Sequence, residues 1–138
     1  MADWLTRKQR SFNMSMIRAS GNRTTEQKLV QLFTSLHVHG WRRNYPLLGR
    51  PDFVFTKQRV ILFADGCFWH MCPKCFVLPK ANRKYWRKKL NRNAERANEV
   101  NLLLRRKGWK VVRIWEHQLK TERGRKGIAQ RIKSSIRS

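Results

Sequence analysis

The stretch Val60-Ile61-Leu62-Phe63-Ala64-Asp65-Gly66-Cys67-Phe68-Trp69-His70-Met71-Cys72-Pro73-Lys74-Cys75 decides how this chain is read. It opens with five consecutive apolar residues, the pattern of a strand buried on both faces, so 59–65 is expected to be a central strand. An acid, a glycine, two adjacent aromatics, a histidine and all three cysteines of the chain follow. Cys67, Cys72 and Cys75 are spaced C-x4-C-x2-C, the last two flanking Pro73-Lys74 in a tight knuckle of the kind that holds Zn²⁺. Three buried free cysteines are the plainer alternative, since free Cys is among the most buried residue types. Cys-Pro-Lys-Cys amid polar residues is poor core, however, and good metal knuckle. A site with three sulfurs wants a fourth ligand, and His37, His39, His70 and His117 are available. His117 is favoured because it follows a strand expected to lie beside the one leading into Cys67. His70 is the alternative, and it is also the natural proton carrier of the chain, its ordinary pKa lying close to neutral.

Working outward, the proline of Gly49-Arg50-Pro51 imposes an extended start on a strand at 52–56. Lys57-Gln58 then reads as the hairpin turn into the central strand. A shorter strand is expected at 41–45. Upstream, Thr24-Thr25-Glu26-Gln27 fits a capping box, and Leu29, Leu32, Phe33 and Leu36 follow at helical spacing to about residue 37. Residues 82–107 read as a long helix with Trp86, Leu90, Ala94, Ala97, Val100 and Leu104 on one stripe and Gly108 as its stop. A strand at 109–115 and a basic helix from about 122 complete an α-β-β-β-α-β-α order. Residues 1–21 form a basic arm with scattered apolar side chains, loosely docked or ordered only on a partner. One domain is expected over 1–138, the arm being 1–21 and the core 22–138.

The chain carries 32 Lys+Arg against 8 Asp+Glu, a formal charge of +24 spread through every ordered-looking segment. Nucleic acid is the partner this balance implies, because Lys and Arg that neutralise phosphates release counterions and bind in a salt-dependent way. No stretch is apolar enough to span a membrane. An odd, clustered cysteine set without a secretory signal points to reduced thiols and a cytoplasmic, nucleoid-associated setting.

Each of the few acids is therefore worth placing. Asp52 opens one strand and Asp65 closes its antiparallel neighbour, so Asp52 and the Ala64–Asp65 backbone can face one cation, with Glu26 approaching from the side. Oxygen ligands of this kind suit Mg²⁺, which takes one or two carboxylates and leaves room for water and phosphate. Surface ion pairing is the plainer reading, and it suffices for Glu95, Glu99 and Glu122. Asp52 is different, since a strand start beside an apolar run is a poor place for a solvated charge.

Gly49-Arg50-Pro51-Asp52 followed by Gly66-Cys67-Phe68-Trp69-His70 resembles the very short patch repair (Vsr) DNA mismatch endonucleases. The likeness runs through Arg10-Ser11-x-Asn13-Met14, Glu26, Trp86, Asn93 and Trp115-Glu116-His117, nearly the whole chain in order. It implies a restriction-endonuclease-like PD-(D/E)XK core, an α/β fold, and a Mg²⁺-dependent enzyme that nicks one strand 5′ to the T of a T·G mismatch. By the same resemblance Asp52 is the catalytic cation ligand, the Ala64 carbonyl supplies a second contact, His70 activates or positions water, and Glu26 supports the water network. Cys67, Cys72, Cys75 and His117 fall on the family's structural zinc site. Phe68, Trp69 and Trp86 would wedge in beside the mispair, where unstacking is least costly. The Met14 arm would reach the opposite groove, while Lys89, Asn93 and Arg50 would contact DNA. For Trp86, core packing is an equal alternative; Phe68 and Trp69, adjacent on an extended strand, cannot both face the core.

Two departures are visible. Cys67 stands where the PD-(D/E)XK pattern wants Lys, a loss the family shares. Asp65 stands where familiar members carry a second histidine, which makes Asp65 a candidate cation ligand. The expected partner is mismatched duplex DNA, with other mismatch-repair proteins as further partners and a monomer as the acting form. The competing readings are a site-specific nickase or mobile-element endonuclease of the same fold, and a non-catalytic zinc-stapled nucleic-acid-binding module. A mismatch reader needs the aromatic wedge, a sequence reader relies on base edges, and a pure binder has no use for Asp52.

Overall fold

A computed structural model describes residues 23–137. The expected arm with Met14, and the Thr24 side chain of the expected capping box, lie outside the described residues. Helix α1 (Arg23–Ser35) leads to strands β1 (Trp41–Arg42), β2 (Phe53–Phe55) and β3 (Val60–Asp65). Helix α2 (Arg83–Arg106), strand β4 (Lys110–Trp115), a 3-10 helix (Glu116–Leu119) and helix α3 (Glu122–Arg137) complete the order. The result is a mixed α/β fold around one four-stranded sheet in the order β1-β2-β3-β4. The pairs β1–β2 and β2–β3 are antiparallel, whereas β3 and β4 run parallel, joined across α2.

All six residues of β3 are buried, as its apolar run requires. Because side chains alternate along a strand, β2 and β3 divide their residues between two cores. Phe53, Phe55, Val60, Leu62 and Ala64 join Leu29 and Phe33 of α1 and Ile128 and Ile132 of α3. Val54, Ile61 and Phe63 face Val100 and Leu104 of α2, with Leu47 and Leu48 closing that layer. Asp52 and Asp65 keep the parity of Val54 and Phe63, so both carboxylates fall on the α2 side.

Several boundaries differ from the sequence expectation. Strand β1 ends at Arg42 instead of 45, since Asn44 turns left-handed (φ 56°) and Pro46 then removes a donor. The β2–β3 connection is a four-residue turn, 56–59, closed by Arg59 at φ 59°, not a two-residue hairpin. The buried stripe of α2 starts at Leu90 and includes Asn93, while Trp86 and Ala94 are half-buried. The helix ends as expected at Gly108 (φ 90°), whose amide reaches Arg105 O while the Trp109 amide reaches Leu104 O, a Schellman closure. Gly49 has a positional reason: with φ 83°, a Cβ there would meet Val100 Cγ1 at 2.5 Å. The loop ahead of Asp52 is thereby pressed against α2.

Candidate active site and metal centre

Pairing of β2 with β3 brings Asp52 to the end of β3. The Asp52 amide donates to Leu62 O at 3.1 Å, and its Oδ2 accepts the Ala64 amide at 2.8 Å. The residue is only 6% exposed. Burial pushes its carboxyl from 3.8 to about 7, against the Ala64 hydrogen bond, with the nearby negative charges of Glu26 and Asp65 adding to the rise. Glu26, in the first turn of α1, is held by an ion pair with Arg43 just past β1. The ionised form of this cluster is short of positive charge. A divalent cation is the group that would correct it, so the donor set fits a hard, oxygen-seeking ion.

Asp65 is also buried, and its Oδ1 meets Arg113 Nη1 at 2.7 Å and His70 Nε2 at 3.7 Å. Burial raises the Asp65 carboxyl above its usual range, with Arg113 and His70 pulling it down. His70 is presented by a turn whose His70 amide bonds Gly66 O at 3.1 Å. Thus Asp52, Asp65 and His70 are gathered at one end of β3, with Glu26 in electrostatic reach.

The same strand feeds a second cluster two residues later. Ligand atoms of Cys67, Cys72, Cys75 and His117 all lie within 4.8 Å of one another. His117 Nδ1 is 3.2 Å from Cys67 Sγ and 3.5 Å from Cys72 Sγ. His70 is not part of this group. Burial pushes the Cys67 thiol up to about 11. For Cys72 burial acts the same way, yet the amides of Lys74 and Cys75, together with the Cys67 and Cys75 thiols, outweigh it and the thiol falls below its usual value. A knuckle that aims backbone N–H groups at sulfur is prepared for thiolate, and three thiolates with one imidazole suit a tetrahedral ion such as Zn²⁺. Glu116 Oε1, accepting the Cys67 amide at 3.1 Å, ties the ends of β3 and β4 beside it.

Phe68 and Trp69 lie in a turn instead of the extended strand that the sequence reading presumes, and both are half-buried. Phe68 packs edge-on against Trp69 (5.3 Å between centroids) and Trp86 (5.5 Å), with Phe76 and Tyr85 extending the group. Trp86 therefore joins the aromatic surface and not the sheet core. Lys89 stands 6.0 Å from the Tyr85 ring. Arg50 is exposed at φ 54° beside Pro51, whereas Asn93 is buried, which sets it apart from the accessible contact residue the sequence suggested.

A family model described as DNA mismatch endonuclease Vsr matches residues 2–75. The chain belongs to the Vsr family. It is similar to the type II nicking enzyme V.NaeI of Lentzea aerocolonigenes, 42% identical over 79% of this chain and 68% of that one. The DNA mismatch endonuclease Vsr of Escherichia coli K12 is 34% identical over 87% of this chain and 77% of its own. The type II nicking enzyme V.NmeAIP of Neisseria meningitidis is 34% identical over 88% and 87% of the two chains. This Vsr-family protein is accordingly a DNA endonuclease that nicks its substrate. Among the described residues no helix is long and apolar enough to cross a membrane.

Arg113, Arg43, Phe76 and Tyr85 escaped the sequence reading. A signal existed for Arg113, a charge set between Val112 and Ile114 inside the strand. Arg43 pairs with Glu26 on another element, and Phe76 and Tyr85 join the ring cluster without a local pattern that announces it.

Proposed function

We propose that this Vsr-family enzyme hydrolyses one strand of duplex DNA 5′ to the T of a T·G mismatch, using Mg²⁺. The observation that carries the reading is a buried Asp52 whose Oδ2 accepts the Ala64 amide, one strand end away from a cluster of half-buried aromatic rings. Asp52 and the Ala64 carbonyl would hold the cation, which when bound polarises the scissile phosphate and stabilises the departing oxygen. His70 accepts the proton of the attacking water, and Glu26 supports the water network from α1. Phe68, Trp69 and Trp86 enter the stack where a mispair makes unstacking least costly. Arg50 contacts DNA and Lys89 contacts the wobble pair, and residues 1–21, with Met14, form the arm of a single domain whose core, 22–138, has the PD-(D/E)XK arrangement. Cys67, Cys72, Cys75 and His117 hold Zn²⁺ and clamp β3 to the segment after β4. A site-specific nickase is the second reading, favoured by the naming of V.NaeI and V.NmeAIP as type II nicking enzymes. The deciding experiment compares a duplex containing T·G with matched T·A and C·G duplexes, each with Mg²⁺ and with EDTA. Cutting confined to T·G plus Mg²⁺ is expected. Equal cutting of a matched duplex of the same sequence overturns mismatch recognition in favour of the nickase.

A further inference from the structure

Asp65 carries a partner that its position does not announce. Arg113, 48 residues away on β4, donates from Nη1 to Asp65 Oδ1 at 2.7 Å. Its Nε donates to Asn101 Oδ1 of α2, also at 2.7 Å, and its guanidinium carbon lies 4.1 Å from the centroid of the Phe63 ring. The Arg113 carbonyl accepts Arg131 Nη1 at 2.8 Å, which fixes the strand from the side of α3. A planar guanidinium gripped at two nitrogens and stacked on a ring has one orientation, which a lysine ammonium could not reproduce. Its Nη2 is buried with no hydrogen-bond partner among the described residues, and Asp65 is the acid ion-paired with it there.

The oxygen that takes Arg113 is the one nearest His70, with Nε2 at 3.7 Å. We propose that Arg113 is a positioning residue for nicking: it pins the Asp65 carboxylate, which faces Nε2 of His70 and so orients the imidazole toward the attacking water. This deepens the reading above and rests on His70 as the proton acceptor. It also takes Asp65 out of the cation's ligand set, because an oxygen bonded to a guanidinium is a poor site for a second positive charge. The residue in the place of the second histidine thus serves as a bracket for the remaining one.

The test uses the full chain, a T·G duplex and single-turnover nicking, with DNA affinity measured separately. Arg113→Met should nick on the order of 10- to 100-fold more slowly while affinity changes less than about threefold, as for outer-shell groups that orient a reacting one. Arg113→Lys should recover only part of the rate. Asp65→Asn should lose as much rate as Arg113→Met. The double variant Asp65→Asn/Arg113→Met removes both buried charges, so it should regain melting temperature yet nick no faster than either single variant. That variant keeps the test decisive even where Arg113→Met fails to fold. Long-range ¹H–¹⁵N spectra of His70 should show the Nε2–H tautomer in the parent and a mixture in the double variant. Wild-type nicking by the double variant, a parallel fall of rate and affinity in Arg113→Met, or an unchanged His70 tautomer would each overturn the proposal. If the parent nicks no duplex at all, the function proposed above fails, while the tautomer still decides whether Arg113 sets His70.

Discussion

The sheet face under α1 and α3 packs Leu29, Phe33, Phe53, Leu62, Ile114 and Ile128 into one apolar cluster, whereas the face under α2 shares its burial with Asp52, Asp65, Arg113 and Asn93. One strand serves both. Leu62 and Ala64 look toward α1 and α3; Ile61 and Phe63 look toward α2, and Asp65 continues that side into the site. The first face stores stability, since each large apolar side chain withdrawn from water contributes roughly 1.5–3 kcal/mol. The second holds carboxylates that would be more comfortable in water, and their burial is a cost the first face must offset. Apolar packing and buried charge are thus separated by the alternation of a single strand.

The hardest test of that division is Asp52→Asn. Loss of the anionic cation ligand should slow nicking by about 10³-fold or more, while DNA affinity persists. A variant that still cuts would mean that the α2 face is not the chemical one. Phe33→Ala, on the opposite face, should reverse the pattern. A fully buried Phe truncated in a packed core costs about 3–5 kcal/mol, visible as a lower denaturant midpoint, with the nicking rate per folded molecule little changed. Next in size is the clamp between the faces: Cys72→Ser should remove bound zinc, read by elemental analysis, and lower stability by about 3 kcal/mol, because metal binding is coupled to folding. Zinc retained by that variant would show that the cysteine group is not the metal centre.

The pH dependence of stability follows from Asp52, whose folded pKa lies near 7 against an ordinary 3.8. Below about pH 4 both states are protonated and nothing is lost. As pH rises toward 7 the unfolded chain ionises first, so metal-free stability falls across that window, by on the order of 4 kcal/mol. Asp52→Asn should flatten the slope and melt higher than the parent at pH 8, whereas an unchanged slope would deny the cost assigned to this face. The smallest effect is expected at the aromatic surface. Trp69→Ala should reduce preference for T·G over matched duplex by the worth of one stacking contact, about 1–2 kcal/mol, and leave the zinc content intact. Undiminished preference would place mismatch reading elsewhere.

Local pattern made much of this protein legible. The apolar run of β3, the Pro-led start of β2, the stop at Gly108 and the three-cysteine knuckle are each written within a few neighbouring residues, and each was found where periodicity and turn chemistry put it. The long helix was legible too, but its buried stripe was drawn to include Trp86, because spacing alone cannot say whether a ring at the end of a helix meets a sheet or other aromatics. Likewise, adjacent Phe68 and Trp69 cannot both face the core from an extended strand, yet they lie in a turn, where that alternation does not apply.

What a chain settles through near neighbours it settles early: the order of elements, the basic character that calls for DNA, the sulfur ligands and the motifs of the Vsr family. What remained for the tertiary structure is carried by pairs that lie far apart in sequence. His117 reaches Cys67 across 50 positions and Arg113 reaches Asp65 across 48, and both meetings depend on β4 running parallel to β3. The raised carboxyl of Asp52 is of the same kind, since desolvation is a property of everything packed around a group and not of its neighbours along the chain.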